Sequence, residues 1–181
     1  MILKIFTMKF QLVPGVEKFV KHLYKHNIPM AVATGNTNRH FGVVSRQFQD
    51  FFKTYFDHIV CGWDDPEVIK KKPHPDVYHV CANRFQTKPK DLKNILIVED
   101  SLTGITGAVA SGMKTLLIND RKLCQFESIA DKITLISDSF EVLRPESIGL
   151  PAYDSWVAVI GLEENLPSIL LKSIFFRIVK K

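Results

Sequence analysis

Asn94-Ile-Leu-Ile-Val-Glu-Asp-Ser-Leu-Thr-Gly-Ile-Thr-Gly-Ala-Val-Ala-Ser-Gly112 is an apolar run that ends in two adjacent carboxylates, Glu99 and Asp100, and continues into a segment rich in small residues. Unbroken Val and Ile read as a strand buried on both faces, the pattern of a parallel sheet. Ligands of such sheets sit outside the carboxyl ends of the strands, where Glu99 and Asp100 fall. Two oxygen donors there suit Mg2+, which takes a few carboxylates together with phosphate and water. The same pair also suits the first turn of a helix, whose dipole favours negative charge. Gly104, Gly107, Ala108 and Ser111 follow at i, i+3, i+4 and i+7, a small-residue face that lets a helix lie close on a sheet.

Two further segments bear on these carboxylates. Ile28-Pro-Met-Ala-Val-Ala-Thr-Gly-Asn36 is a second buried strand, and it ends in a hydroxyl, a glycine and an amide. Thr34 offers a hydroxyl to an anion, and Gly35 lets backbone N–H groups approach one closely. Lys70-Lys-Lys-Pro-His-Pro-Asp-Val-Tyr78 sets a lysine directly before a proline-rigidified turn that opens a helix. A lysine held there is a point charge for phosphate. Taken singly, Thr34 also reads as an ordinary cap, and Lys70, Lys71 and Lys72 as a solvated charge run. The three segments in this order are far more specific than any one of them.

In that order the chain resembles the haloacid dehalogenase superfamily of phosphatases. Ala33-Thr-Gly-Asn36 resembles its second motif, Lys72-Pro-His-Pro-Asp76 its third, and Val98-Glu-Asp-Ser-Leu-Thr-Gly104 its fourth. The closest likeness is to the pseudouridine-5'-phosphatase branch, with Leu12-Val-Pro-Gly-Val-Glu-Lys18 and Gly62-Trp-Asp-Asp-Pro-Glu-Val68 as additional matching stretches. The resemblance runs from about residue 4 to residue 154. It implies an α/β fold: a Rossmann-like parallel sheet with helices on both faces. It also implies Mg2+-dependent hydrolysis of a small phosphomonoester, such as pseudouridine 5'-phosphate or a related nucleotide or sugar phosphate, through an aspartyl-phosphate. By the same resemblance Thr34 and Lys72 are the catalytic residues, Thr34, Gly35, Asn36 and Lys72 bind the phosphate, and Asp100 with Glu99 holds the metal. Gly35 and Asn36 stand where serines are more usual, and Leu102 and Thr103 replace a frequent Pro-Asn.

The family's first motif, Asp-x-Asp-x-Thr, supplies the nucleophile and the general acid/base. No two aspartates of this chain are separated by a single residue; Asp64 and Asp65 are adjacent and precede the lysine segment. The chain as written is therefore expected to be inactive and truncated relative to the family, with most of the helical cap domain missing. It is either an isoform or paralogue that acts as a phosphate, Mg2+ or protein-binding module, or an incomplete gene model of an active phosphatase. Residues 1–13 are expected to be a remnant of cap or linker, 14–154 the core without its first strand, and 155–181 an extension outside the family.

At 181 residues the chain is long enough for one domain with a sizeable core, and 46% hydrophobic content excludes a disordered chain. The net charge of +5 is spread along the chain without an RNA-binding motif or aromatic platform, so no nucleic-acid partner is expected. An electropositive surface around a small phosphorylated metabolite accounts for it. Cys61, Cys81 and Cys124 lack metal-ligand spacing and read as reduced thiols. The six histidines form no metal motif and read as surface or turn residues. No transmembrane segment or signal peptide is evident, and a cytoplasmic protein is expected.

Val16, Phe19, Val20 and Leu23 recur at helical spacing, predicting a helix over 14–25. Asn36 or Thr37 caps a second helix running to about Phe52. Strands are expected at 58–61, 115–118 and 133–136, with a helix over 75–84. The family's strand order places the first-motif strand between those of the second and fourth motifs. Without it, backbone groups of two central strands would be left unpaired. Residues 2–10, with Ile2, Ile5 and Phe6, and residues 156–161, with Val157, Val159 and Ile160, are the expected substitutes.

Overall fold

The computed structural model describes residues 11–118, 123–154, 168–169 and 174–177. Its strands are β1 (Gln11–Leu12), β2 (Met30–Thr34), β3 (His58–Cys61), β4 (Ile95–Glu99), β5 (Lys114–Ile118), β6 (Leu135–Ser137), β7 (Ser168–Ile169) and β8 (Ile174–Arg177). Its α-helices are α1 (Val16–Lys25), α2 (Asn38–Val44), α3 (Gln49–Tyr55), α4 (Asp76–Asn83) and α5 (Leu102–Ala110).

Every residue of β2 and β4 is buried, as continuous apolar runs require when both faces of a sheet are covered. Alternation divides them between two cores. Met30, Val32, Leu96 and Val98 pack with Phe19 and Leu23 of α1 and Phe52 of α3. Ala31, Ala33, Ile95 and Ile97 pack with Val77 and Cys81 of α4 and Ile105 and Ala108 of α5. The period of two along each strand thus builds a three-layer α/β domain with helices on both faces. Gly15 opens α1 with φ +79°, and a Cβ there would meet Glu141 N at 2.7 Å, so both conformation and space call for glycine. No helix among the described residues is long and apolar enough to cross a membrane.

The main sheet has the order β3-β2-β8-β4-β5-β6. β2 pairs parallel with β3, and β4-β5-β6 are parallel throughout. β8 joins these two blocks and is antiparallel to both neighbours. Ile174 lies level with Val32 and Val98, Phe175 with Ala31 and Ile97, and Phe176 with Met30 and Leu96. β8 therefore stands between the strands ending at Thr34 and Glu99, the position where the resemblance implied a missing strand. The two expected substitutes, 2–10 and 156–161, lie outside the described residues; the strand in place is Ile174–Arg177, farther along the chain. Its Ile-Phe-Phe composition suits a pleated strand. β1 and β7 form a separate two-stranded parallel pair.

Three local expectations need correction. The helix expected from 36 to 52 breaks at Ser45, whose Oγ donates to Phe41 O at 2.7 Å and whose carbonyl accepts the Phe48 N–H of a 3-10 turn. Serine bonding back to the preceding turn is a known helix disruptor. The strand expected at 133–136 starts only at Leu135, because Thr134 and Thr115 exchange N–H to Oγ1 bonds of 3.0 Å before it. His22 is buried rather than on the surface; its Nε2 donates to Pro151 O at 2.8 Å.

Candidate active site

Thr34, the last residue of β2, is buried, and the carboxyl end of its strand is closed by two short contacts. Its carbonyl accepts the Gly62 N–H at 2.7 Å, and its Oγ1 accepts the Asn36 N–H at 3.2 Å. Because Oγ1 accepts there, the hydroxyl proton is directed elsewhere. Thr37 caps α2, its Oγ1 accepting the His40 N–H at 3.0 Å, and His40 Nδ1 lies 3.1 Å from Asn36 Oδ1. A Cβ at Gly35 would find nothing nearer than Lys72 Cδ at 4.0 Å. The space above Gly35 is therefore cavity rather than protein.

Lys72 reaches this strand end from the loop before α4. Asp76 shapes that loop: it accepts the Lys70 N–H at 2.7 Å and pairs with His74 Nδ1 at 2.6 Å. The Lys70 N–H, followed by His74, holds the Asp76 carboxyl below the usual range. Lys72 Nζ then donates to Ala33 O at 3.0 Å and to Glu99 Oε1 at 2.7 Å, with 12% of its side chain exposed.

Glu99 is sealed beneath the site at 1% exposure. Its Oε1 also accepts the Tyr78 hydroxyl at 2.6 Å, and the Tyr78 ring lies 4.8 Å below Lys72 Nζ. A lysine in so dry a place needs both a counter-charge and full hydrogen bonding, and Glu99, Tyr78 and Ala33 contribute to both. The small-residue face of α5 explains how the carboxylate fits: a Cβ at Gly104 would come within 2.0 Å of Glu99 Oε2. One turn later, a Cβ at Gly107 would meet Pro73 O at 2.9 Å. The glycines of this face thus admit the Glu99 carboxylate and the turn after Lys72, as well as the sheet.

A cavity of about 290 Å3 opens here. Thr34, Gly35, Asn36, Lys71, Lys72, Ser101 and Thr103 line its polar side. Gly62, Trp63, Val68 and Val77 line the rest. Asp100 stands between Glu99 and Ser101, the cap of α5, whose Oγ accepts the Gly104 N–H at 3.1 Å. The four residues expected to bind phosphate therefore share one cavity, with Asp100 next to its wall and Glu99 turned to Lys72 and Tyr78. Sequence reasoning gave no role to Tyr78 or Trp63, although Trp63 lies within one stretch that resembles the family and Tyr78 stands two residues past another. The missing signal was tertiary, since Tyr78 meets Glu99 from 21 residues away.

A magnesium centre asks for several oxygen ligands. Among the described residues no group of three or more His, Cys, Asp or Glu side chains gathers to hold a metal. With Glu99 engaged by Lys72 and Tyr78, the residues present fall short of a full metal site. The thiols near β3 offer no substitute nucleophile: burial pushes Cys61 up to about 11 and Cys81 higher still. Asp64 and Asp65 hold the loop after β3, with Asp64 accepting the Asn38 N–H and Nδ2–H, and Asp65 pairing with Arg84 at 2.7 Å.

The chain is 34% identical over 145 residues to (DL)-glycerol-3-phosphatase 2 of Arabidopsis thaliana, covering 80% of this chain and 58% of that protein. It is 35% identical over 143 residues to a probable pseudouridine-5'-phosphatase of Drosophila melanogaster, covering 79% and 60%. The pseudouridine-5'-phosphatase likeness is thus shared with glycerol-3-phosphatases at similar identity. The chain spans about 60% of the length of these curated relatives. The crystal structure of a HAD hydrolase, family IA, variant 3, from Entamoeba histolytica shares the fold with a TM-score of 0.66 at 19% identity, over 81% of this chain and 63% of that one. Residues 3–118 match the family described as Haloacid dehalogenase-like hydrolase, and the chain belongs to that family.

Proposed function

We propose that this chain recognises a small phosphomonoester at the Thr34–Lys72 cavity, as part of a hydrolase family whose reaction passes through an aspartyl-phosphate. The observation that carries the proposal is the convergence of the Thr34 hydroxyl, the open space over Gly35, Asn36 and the Glu99-held Lys72 on one cavity. Phosphoryl chemistry depends on positioning and charge neutralisation, and these groups provide both. Thr34 Oγ1, already accepting from Asn36, turns its proton to a phosphate oxygen. Lys72 supplies positive charge at the carboxyl end of β2. The relatives' names include a glycerol-3-phosphatase and a pseudouridine-5'-phosphatase, so the substrate class is a small phosphate ester of a polyol or nucleoside.

On this reading the 181 residues bind the ester without turning it over. Covalent capture needs an activated carboxylate and a second acid for the leaving oxygen, and the sequence has no Asp-x-Asp. One observation favours a binding module: β8 occupies the middle of the sheet in antiparallel orientation. The test is an assay with Mg2+ on pseudouridine 5'-phosphate, glycerol 3-phosphate and an aryl phosphate. We expect no turnover near ordinary enzyme values of about 1–10^3 per second. Turnover in that range, abolished by Asp100→Asn, contradicts the inactive reading.

A further inference from the structure

Trp63 lines the cavity mouth with 63% of its surface exposed. Single exposed apolar side chains are common on protein surfaces, but this one stands at the wall of the cavity that holds Thr34 and Lys72. The backbone around Trp63 is tied on every side. Gly62 N–H donates to Thr34 O at 2.7 Å and Trp63 N–H to Asn36 O at 3.3 Å. Asp64 N–H and Asp65 N–H both donate to Cys61 O, at 3.2 and 3.0 Å. The Asp64 carboxylate holds the start of α2, and Asp65 is locked to Arg84 by two bonds of 2.7 and 2.9 Å. A Cβ at Gly62 would crowd Val77 Cγ2 at 3.1 Å and Thr34 O at 3.2 Å, so glycine there lets the loop close onto the phosphate end of β2. The loop thus holds the backbone of Trp63 at the rim of the cavity whose polar end holds Thr34 and Lys72. Rigid aromatics recognise ligands at low entropic cost.

We propose that Trp63 is a stacking platform that selects phosphate esters carrying a planar base, nucleoside monophosphates, over aliphatic phosphates. This inference rests on the phosphate reading of the cavity. At about 290 Å3 the cavity sits at the lower end of small-molecule sites, which suits a phosphate and its sugar inside and a base at the mouth. Val68 and Val77 give that mouth an apolar floor. The indole face favours a flat π-system, whereas a glycerol chain gains little from it.

The test is calorimetric titration of the full chain with inorganic phosphate, glycerol 3-phosphate, ribose 5-phosphate and uridine 5'-monophosphate. Stacking of one base on an aromatic side chain predicts that the nucleotide binds about tenfold or more tighter than ribose 5-phosphate. Trp63→Ala is expected to remove that advantage, lowering nucleotide affinity about tenfold more than ribose 5-phosphate affinity, and Trp63→Phe to retain most of it. Equal affinity for nucleotide and ribose 5-phosphate overturns this inference alone, since phosphate binding persists. An advantage that survives Trp63→Ala also overturns it. Failure of every phosphate to bind overturns the cavity reading and this inference together.

Discussion

β8 lies between β2 and β4 in the middle of the sheet and the Lys72 corner at the carboxyl ends of those two strands, yet the two are held by different physics. β8 is tied in by main-chain pairing: Phe175 lies level with Ala31 on one side and Ile97 on the other. Any extended segment of suitable composition can satisfy backbone donors and acceptors, in either direction. The corner is held by particular side chains, with Lys72, Glu99 and Tyr78 fitted into space that Gly104 leaves open. The strand in the middle of this sheet is therefore generic and the corner at the carboxyl ends of its two neighbours specific. An antiparallel strand also cannot reproduce what a parallel one would do there. β8 begins level with Val32 and Val98, two residues short of Thr34 and Asp100, and its carboxyl end points away from the cavity.

The contrast breaks most visibly at Glu99. Glu99→Gln preserves shape but removes the carboxylate charge that Lys72 faces at 2.7 Å. Disrupting a buried pair in this way is expected to cost about 3–5 kcal/mol, measured as the shift in urea-unfolding free energy. A loss below about 1 kcal/mol, typical of exposed pairs, would make the corner as tolerant as the strand.

At β8 the backbone matters more than the residue. Phe175→Pro removes a ladder N–H from a central strand and is expected to destabilise by about 3 kcal/mol. Phe175→Val keeps the N–H and the strand propensity, and should cost less than half as much. Equal losses would show that pairing is not what holds the strand.

Glycine substitutions sharpen the comparison through their sign. Gly42 sits in α2, and a Cβ there would find nothing within 4 Å, so Gly42→Ala should stabilise by about 0.5–1 kcal/mol. Gly104→Ala places a Cβ 2.0 Å from Glu99 Oε2 and should destabilise by about 1–3 kcal/mol. The smallest effect concerns Asp65, whose carboxyl is held below its ordinary value first by the Arg84 hydrogen bond. Its contribution is fully present above the unfolded value of about 3.9 and is lost as pH falls through the lower folded value. Asp65→Asn should therefore reduce stability at neutral pH and flatten the acid limb of the stability curve.

The parallel blocks were legible because β2 and β4 are continuous apolar runs, and their carboxyl ends marked the cavity before any geometry was known. Thr34, Gly35, Asn36 and Lys72 share that cavity as their segments suggested. The role of Glu99 was not legible, because adjacent carboxylates look alike in sequence and only burial separates Glu99 from Asp100. Tyr78 and Trp63 were equally silent: one acts across 21 residues of chain, the other through exposure. β8 could not be placed by composition, since several apolar segments suit a slot that selects only for backbone pairing.

The central claim is that the corner between β2 and β4 holds phosphate without cleaving its ester. 31P NMR of glycerol 3-phosphate with excess Mg2+, recorded with the full chain and with Lys72→Met, tests both halves in one experiment. The account predicts a protein-dependent shift or broadening of the ester resonance that Lys72→Met abolishes, with no growth of an inorganic phosphate signal. An ester resonance unaffected by the chain, or steady release of inorganic phosphate that Asp100→Asn stops, would contradict it.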